Sequence, residues 1–549
     1  MPDRDSPLRL TDDQMRQYIV NGYLVFKPDL PDGLHENIRQ KIAYVLDNEY
    51  NPGNNILPRV PDMHHVLDSP EVRGALISVL GENYLELPHR YCHPMGRAKN
   101  GDRPTRTVAE ASHQDSYTVL SRPRQHYSRF ARIMYYPQDT PVERGPTHAI
   151  PGTQYHSRLT DEDRARNVPM AGKAGTVSIT HFDVGHAAGI NLTDQARYMI
   201  KFIYARAAEP VAPTWNHDPA NARETGNWQT PVDHCVPNDL EVAWSHFWDW
   251  MCGKTDRYDS FRACRSGGTN GQRSTWIANL GADKDLSTRL QAAHALAAGG
   301  EAASDAIPAL AAMLNREPQA GRIAAIYALG AIGEPAVEPL MAMLRQSRQS
   351  EDEQTEQPGW NENATIMDDA AHALAAVGGP AVPALGNALN DPDEWIRVNA
   401  AFALGQMDCG ALDTVPALTH LLDDPSHRVV RTVADTLGNL GSAARVCIPT
   451  MGRLLTARRP GWDKPQRHEY WTAADQVHSN TAMSLARFSA ASPETQDLLI
   501  QSLDHDCGHV GAFAFQGLQR RGTPLAIEAV LKYLSARRWD AQINREVQF

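Results

Sequence analysis

The stretch ASHQDSY occupies residues 111–117 and places a histidine, His113, two residues before a carboxylate, Asp115. On a β-strand, residues i and i+2 project from the same face, so these two side chains can reach one metal ion. Such a pair is a weak signal alone, because the chain has 22 histidines and 65 acidic residues. It gains significance only if the chain supplies a third metal ligand elsewhere.

A second segment, GTVSITHFDVGHAAGINLTDQARYMIKFIYAR (175–206), contains His181, His186 and Arg197. Two histidines and one carboxylate on one face of a metal leave further coordination positions open, as in non-haem Fe(II) oxygenases. The sequence therefore favours His186 as a partner of the first pair, and an arginine nearby can bind a carboxylate bidentately. His181 is predicted to be structural, since its odd offset from His186 places it on the opposite strand face.

These segments occur in the same order as in a known family, together with LTDDQMRQYIVNGYLVF (10–26) and YYPQDTPVERGPTHAIPGTQYH (135–156). Residues 1–206 resemble the phytanoyl-CoA dioxygenase family of Fe(II)/2-oxoglutarate-dependent oxygenases. The resemblance implies a double-stranded β-helix, or jelly-roll, fold. The fold class expected for the whole chain is multidomain α+β.

The resemblance also implies roles for individual residues. His113, Asp115 and His186 would be iron ligands, Arg197 would bind the distal carboxylate of 2-oxoglutarate, and Thr147 would line the co-substrate pocket. The cofactors implied are Fe(II), 2-oxoglutarate and O₂, with ascorbate as reductant. No further catalytic residue is implied beyond the metal site.

Several neighbouring positions are open to more than one interpretation. Family members often carry a hydroxyl residue two places after the distal histidine, where this chain has Ala188. Tyr117 and Tyr135 are candidates to line the substrate pocket, with a role in the core as the alternative. His148 and His156 lie beside a Gly/Pro turn, where structural and substrate-edge roles are equally open.

From about residue 280 the sequence repeats itself. Seven Ala/Leu-rich segments place a leucine at the matching position: Leu296, Leu329, Leu374, Leu404, Leu437, Leu485 and Leu518. An apolar residue followed by proline keeps the same interval: Ile307-Pro308, Val382-Pro383, Val415-Pro416 and Ile448-Pro449, with a looser Glu338-Pro339. Glycine ends one helix and proline opens the next, which predicts stacked helix pairs. The pattern resembles HEAT repeats of the phycobilisome-lyase variety, with insertions at 351–363 and 456–470; an Ala-rich bundle is the alternative.

The sequence thus divides into three predicted parts. Residues 1–206 would form the oxygenase-like domain, and residues 281–549 the HEAT-repeat solenoid. Between them, residues 207–280 form a Trp-rich connection that either joins the two domains or covers the active site as a lid.

Composition narrows the class of protein. The chain has 549 residues and a net charge of −12, which argues against a nucleic-acid-binding protein, because such proteins need a basic surface. Its 7 cysteines contain no C-x-x-C pair, so neither a disulfide framework nor a cysteine-ligated zinc site is expected. No apolar run of about 18 residues and no secretory signal are present, so a cytoplasmic enzyme without a membrane partner is expected.

The main functional hypothesis is a dioxygenase that hydroxylates an unactivated C–H bond of a small molecule, with release of succinate and CO₂. The carboxylate of Asp115 favours hydroxylation, since related halogenases have a small residue there that leaves room for chloride. The alternatives are a protein-directed hydroxylase that uses the repeats for docking, a non-catalytic scaffold, and a zinc hydrolase. The sequence leaves the oligomeric state open.

Overall fold

The computed structural model describes residues 6–49, 51–96, 106–116, 119–219, 228, 236–265, 272–316, 318–347, 365–466 and 468–537. Tyr117 and the predicted insertion 351–363 lie outside the described residues. None of the described helices has both the length and the apolar character needed to cross a bilayer.

The chain opens with a helix and a strand, as its sequence predicts. Thr11 caps helix α1 (Asp12–Asn21) in a capping box with Gln14, so two backbone N–H groups at the helix start are satisfied. Gly22 ends the helix in the left-handed region at φ 80°, where a residue with a side chain would be strained. Further helices of the N-terminal region are α2 (Asp32–Asn48), α3 (Ile56–Arg59), α4 (Met63–Leu67), α5 (Pro70–Leu80) and α6 (Asp161–Ala165).

Eight strands of this region form two antiparallel sheets. They are β1 (Tyr23–Phe26), β2 (Leu85–Met95), β3 (Phe130–Tyr135), β4 (Thr147–Ile150), β5 (Val168–Pro169), β6 (Val177–His181), β7 (Gly185–Ala188) and β8 (Arg197–Ala205). The five-stranded sheet has the order β1-β6-β3-β8-β2, and the three-stranded sheet has the order β5-β4-β7. Within the described residues the two sheets do not close into one barrel, so the antiparallel two-sheet architecture holds and a closed jelly-roll is not seen.

A small apolar cluster lies between the two sheets. Met134 and Met199 come from the large sheet, while Ala149 comes from the small one, and Tyr136 and Met170 complete the cluster. Side chains that alternate along β3 therefore have different surroundings: Met134 faces the small sheet, and Tyr135 packs into the main core on the other side. The space between the sheets is where the candidate site is built.

The connecting segment contains α7 (Glu241–Met251), α8 (Asp259–Arg265) and α9 (Arg273–Asn279). All residues of α7 are buried. Trp248 packs edge-to-face on Trp215, with ring centroids 5.1 Å apart, and the hydroxyl of Tyr127 lies 2.9 Å from Nε2 of His246. This joint is aromatic, as the tryptophan content of the segment predicts.

The repeat region consists of paired helices. Its helices are α10 (Leu286–Gly299), α11 (Ile307–Arg316), α12 (Gln319–Ile332), α13 (Val337–Gln346), α14 (Asp369–Val377), α15 (Val382–Ala388), α16 (Glu394–Leu404), α17 (Val415–His420), α18 (His427–Leu440), α19 (Ile448–Leu454), α20 (Ala473–Phe488), α21 (Thr495–Ser502), α22 (Gly508–Arg521) and α23 (Pro524–Ser535). A two-stranded hairpin, β9 (Pro465–Gln466) and β10 (His468–Thr472), interrupts them before α20. The first helices of successive pairs stack on one another, and the seven marker leucines are all buried in these helices. The predicted helical repeat is therefore confirmed.

The repeats pack against the N-terminal region through their first helices and the turns that follow them. Arg129 donates to the side chain of Gln406 and to the carbonyl of Gly405, at 2.9 Å in both cases. Asn480 donates to the carbonyl of Leu120 at 2.8 Å, and Arg487 donates to the carbonyl of Arg206 at 3.2 Å. Residues 119–129, which follow the HQD segment, are therefore enclosed between the two regions.

Candidate metal centre

His113 and His186 lie directly opposite each other across one isolated antiparallel bridge. Each backbone N–H donates to the carbonyl of the other residue, at 2.9 Å and 2.8 Å. The segment around His113 is not part of a longer strand, unlike the regular strand on which the i, i+2 argument relied. The bridge nevertheless brings the two imidazole rings to a centroid separation of 4.5 Å.

Asp115 completes the group. Its Oδ1 lies 3.6 Å from Nε2 of His113, and its Oδ2 lies 3.7 Å from Nε2 of His186. The three ligand atoms all lie within 4.8 Å of one another, so the structure brings together the trio that the sequence predicts. This arrangement is a candidate iron site.

The remaining nitrogen of each ring fixes which tautomer is present. Nδ1 of His113 lies 2.9 Å from the carbonyl of Ala111, and Nδ1 of His186 lies 3.2 Å from the carbonyl of Val184. Because a carbonyl only accepts, these contacts favour the tautomer with the proton on Nδ1, which leaves the lone pair of Nε2 on the side of Asp115. Nη1 of Arg132 also lies 3.5 Å from Nδ1 of His186. Two lone pairs facing one carboxylate repel it unless a cation lies between them, so this donor set fits a metal ion.

Electrostatics keep all three groups in the form that binds a metal. Burial lowers the pKa of His113, with the charge of Asp115 offsetting only part of the effect, and burial followed by the charge of Arg132 holds the pKa of His186 well below its usual value. Burial alone would raise the pKa of Asp115, but the charges of Lys201 and Arg132 outweigh it and hold that pKa well below its usual range. Two neutral imidazoles and an ionised carboxylate are therefore ready to bind.

Two cations contact the Asp115 carboxylate, and the sequence pattern predicted neither contact. Nη2 of Arg132 donates to Oδ2 at 2.8 Å, and Nζ of Lys201 donates to the same oxygen at 3.2 Å. The Arg132 side chain is fully buried, and the Lys201 side chain is 12% exposed. Arg132 lies inside the apolar strand FARIMY, and Lys201 lies inside the apolar strand RYMIKFIYA. A charged residue within an apolar strand is the sequence signal that could have indicated a functional role for each.

A second layer of charges supports the ligand segment. Arg122 and Arg124 both pair with the fully buried carboxylate of Asp183. Arg124 also donates to the carbonyl of Asp115 at 2.7 Å and to the carbonyl of Gln114 at 3.2 Å. The Gln114 side chain in turn donates to the carbonyl of Asp183 at 2.9 Å, so the backbone of the ligand segment is held from several sides.

Arg197 lies at the start of β8, on the same strand as Lys201. Its guanidinium donates to the carbonyls of Gly145 and His93, at 3.0 Å and 3.3 Å, and it is 1% exposed. Among the described residues no carboxylate forms an ion pair with Arg197. Its Nη2 donates to the sulfur of Met95 at 3.6 Å. A buried arginine whose acceptors are two carbonyls and a thioether can bind an anionic ligand, which fits the predicted co-substrate role.

Thr147 belongs to the same pocket. The Tyr136 hydroxyl donates to Oγ1 of Thr147 at 2.8 Å and accepts from the Thr147 backbone N–H at 2.8 Å. Burial raises the pKa of Tyr136, while the charge of Arg197 acts in the opposite direction. The carbonyl of Gly145, two residues before Thr147, accepts the hydrogen bond from Nε of Arg197. Thr147 also pairs with Ala188 in the register of β4 and β7, so the position without a hydroxyl faces this threonine.

Other histidines and tyrosines singled out by the sequence lie apart from the trio. Tyr135 points to the opposite face of β3 and lies 2.9 Å from Nδ1 of His35, because side chains alternate along a strand; Tyr136 is the one that reaches the pocket. His181 contacts the carbonyl of Tyr127. His148 contacts Asn167, and His156 forms an ion pair with Asp163.

A second group of possible ligands consists of Asp239, Glu241 and His294. Nδ1 of His294 lies 4.0 Å from Asp239, and Glu241 pairs with Arg265. This group offers one imidazole and two carboxylates, whereas the first offers the two imidazoles and one carboxylate that non-haem iron sites use. The first group is therefore the better metal site.

Comparison with solved structures finds proteins whose sequences are distant from this one. The alpha-ketoglutarate-dependent epimerase SnoN from nogalamycin biosynthesis is 18% identical, covers 36% of this chain and 83% of its own, and has a TM-score of 0.29. EctD from S. alaskensis is 16% identical, covers 38% of this chain and 82% of its own, and has a TM-score of 0.30. HygX from Streptomyces hygroscopicus, solved with nickel and 2-oxoglutarate, is 14% identical over 36% of this chain and 87% of its own, with a TM-score of 0.29.

No curated protein matches the chain. Two family models do match it. The model of phytanoyl-CoA dioxygenase matches residues 21–199, and the model of HEAT repeats matches residues 274–356 and 382–456. Both resemblances expected from the sequence are confirmed, and the chain carries a domain of the phytanoyl-CoA dioxygenase family followed by HEAT repeats.

Proposed function

We propose that this protein is an Fe(II)/2-oxoglutarate-dependent dioxygenase that hydroxylates an unactivated C–H bond of a small molecule and releases succinate and CO₂. The observation that carries the proposal is the position of Nε2 of His113 and Nε2 of His186 beside the Asp115 carboxylate, at 3.6 Å and 3.7 Å. Within the phytanoyl-CoA dioxygenase domain, that donor set is suited to iron with coordination positions left open.

In this proposal His113, Asp115 and His186 hold the iron, and Arg197 holds the distal carboxylate of 2-oxoglutarate, with Thr147 beside it. Iron and 2-oxoglutarate together supply the oxidising power that breaks a C–H bond. The chain's own part is to fix the ligands and to keep water out. Arg132 and Arg124 orient the ligand segment from behind, and the Tyr136–Thr147 pair shapes the floor of the co-substrate pocket.

The packing of the repeats favours a small-molecule substrate over a docked protein. The helix faces and turns that present Gln406, Asn480 and Arg487 are already occupied by the N-terminal region of the same chain. A protein substrate would have to use another surface of the repeats. In this proposal the repeats support the ligand segment.

The test is turnover by the full-length protein with Fe(II), ascorbate and 2-oxoglutarate, followed as succinate release and O₂ consumption during a screen of candidate small molecules. His113→Ala and His186→Ala should each abolish stoichiometric iron binding and succinate release. His148→Ala is the matched control, because its ring contacts Asn167 instead of the trio, and it should retain both.

Each competing hypothesis predicts a different outcome of these experiments. O₂ consumption that persists after His113→Ala has removed the iron would show that the site assignment is wrong. Hydrolysis of an ester or amide without 2-oxoglutarate would indicate a zinc hydrolase. Absence of stoichiometric iron from the wild-type protein would indicate a scaffold.

A further inference from the structure

Lys201 lies at the candidate metal site without being needed to hold a metal. It is in the middle of β8, and its ammonium group lies 3.2 Å from Oδ2 of Asp115. That oxygen already accepts a hydrogen bond of 2.8 Å from Arg132, which is fully buried. One guanidinium is sufficient to orient the carboxylate, so the second cation beside it calls for a different explanation.

The charges of the site do not balance without a further anion. Asp115 cancels one of the three largely buried cations Arg132, Arg197 and Lys201. A divalent metal and the doubly negative 2-oxoglutarate cancel each other. The nearest other buried carboxylate, Asp183, already pairs with two arginines, Arg122 and Arg124. Two of these cations are then left without a counter-charge, and because buried charge without a counter-ion is unfavourable, the loaded site favours a further negatively charged ligand.

Besides Asp115, the described side chains that share the face of Lys201 in the β2–β8 register are not acidic. Tyr91 is the residue opposite Lys201 in the β2–β8 register, and His93 is opposite Met199, so all four face the same side of the sheet. The Tyr91 and His93 rings lie 4.7 Å apart. Nε2 of His93 is buried and has no hydrogen-bond partner among the described residues. An ammonium group, an unpaired imidazole nitrogen and an aromatic surface together form a site for an anion on a flat or apolar body.

We infer that Lys201, with His93 and Tyr91 beside it, forms an anion subsite that binds a carboxylate of the substrate. The substrate class is therefore a negatively charged small molecule, held by its carboxylate while the neighbouring carbon faces the metal. This inference rests on the proposed function, because it assigns the substrate of that same site. Lys201 acts as a specificity-determining residue.

The test uses full-length protein loaded with Ni(II) and 2-oxoglutarate, so that no turnover occurs. Benzoate and benzamide are the probes, because they share a shape and differ in charge. Binding is measured by calorimetry and by the shift of the unfolding midpoint. Wild-type protein should bind benzoate about tenfold or more tightly than benzamide, as expected for a charge-assisted hydrogen bond. Lys201→Met should remove that preference, and Lys201→Arg should keep most of it.

Lys173→Met is the matched control, since Lys173 is exposed, pairs with Asp139 and should leave the preference unchanged. Equal or absent binding of the two probes by wild-type protein would overturn the inference. So would a Lys201→Met variant that loses 2-oxoglutarate binding but keeps the preference for benzoate, because Lys201 would then serve the co-substrate. Binding of 2-oxoglutarate is measured first and separately; its failure in wild-type protein contradicts the proposed function, not the anion subsite.

Discussion

Asn480, on the sixth helix pair of the repeats, donates a hydrogen bond of 2.8 Å to the backbone carbonyl of Leu120, five residues after the candidate ligand Asp115. The segment of residues 119–129 makes a second hydrogen bond with the repeat region, in which the backbone N–H of Arg124 donates to the carbonyl of Thr365 at 2.9 Å. The repeat region, which is distant in sequence, therefore contacts the buried backbone of residues 119–129 directly. The repeats are part of the surroundings of the candidate metal centre.

Replacing Asn480 should weaken the metal centre from a distance. Asn480→Ala leaves the Leu120 carbonyl buried without its donor, which costs about 1–3 kcal/mol. We expect a lower unfolding free energy and a several-fold weaker affinity for iron, measured by denaturant titration and by competition with a chelator. Asn387→Ala, at an exposed position of α15, is the control and should change neither. Unchanged iron affinity in Asn480→Ala would show that the contact serves packing alone.

The same packing predicts that residues 1–280 do not fold as an isolated fragment. Residues 119–129 are buried apart from the half-buried Pro123, and several of their partners belong to the repeats. Deletion of residues 281–549 is therefore a poor test of docking, because it removes the environment of the ligand segment. Point substitutions such as Asn480→Ala better distinguish a role of the repeats in docking a protein substrate from a role in supporting the ligand segment.

Arg124→Met should lower the affinity for iron by about 10- to 100-fold, the usual effect of removing a group that orients metal ligands. The change removes the hydrogen bonds to the carbonyls of Gln114 and Asp115 and one of the two partners of Asp183. Iron affinity is measured by chelator competition. Arg39→Met, at a surface pair with Glu36, is the control. An iron affinity equal to that of wild type would mean that Arg122 alone is sufficient to pair with Asp183 and to keep the ligand segment in place.

Arg197→Met should weaken 2-oxoglutarate binding by about 10- to 100-fold while leaving the iron content unchanged, because a charge-assisted pair is lost from a site that does not hold the metal. Thr147→Val should have a smaller effect, since it removes only the hydroxyl that the Tyr136 hydroxyl contacts. Both are measured as the KM for 2-oxoglutarate in succinate release. A larger effect of Thr147→Val than of Arg197→Met would contradict the assignment.

Stability should fall as the pH decreases below about 6.5, through histidines buried between the two regions. The rings of His126 and His372 stack 4.3 Å apart, and burial lowers the pKa of His372 to about 4 and that of His126 well below its usual value. A lowered pKa means that the folded state binds fewer protons than the unfolded state, so the contribution is present above pH 6.5 and is lost as the pH falls toward 4. For His372 the loss at pH 5 is about 2 kcal/mol.

The check compares unfolding free energies at pH 7 and pH 5. His372→Gln should be less stable than wild type at pH 7, because the ring contacts are lost, but it should lose less stability between the two pH values. The exposed His65→Gln is the control and should follow wild type. An equal loss in His372→Gln and wild type would place the pH dependence elsewhere.

The trio and the repeats were predictable for one reason: each rests on residue types at regular or characteristic spacing. His113, Asp115 and His186 carry metal-ligand chemistry in their side chains, and the leucine and proline intervals reflect helix pairs directly. Arg132 and Lys201 were not predicted, because their contact with Asp115 depends on how β3 and β8 register against a loop. Tyr135 was a candidate for the substrate pocket or for the core, and the structure places it in the core beside His35, because successive residues of a strand face opposite sides.

The contact between the repeats and the N-terminal region also could not be predicted from the sequence. Gln406, Asn480 and Thr365 are ordinary polar residues whose partners lie in a region folded from a distant part of the chain. Composition indicated an aromatic connection, and the described part of that segment includes the buried aromatic helix α7. Nothing in the spacing indicated that the ligand segment passes beneath the repeats.

The enclosure of residues 119–129 has a consequence for biosynthesis. Translation proceeds from the N-terminus, so the His113–Asp115 segment leaves the ribosome long before Thr365, Gln406 and Asn480 have been made. For most of synthesis the segment lacks the donors and acceptors that later hold it. Under the proposed function, the candidate metal centre therefore gains its full surroundings only after the repeats have been made, and chains truncated before Asn480 should contain less iron than the full-length protein.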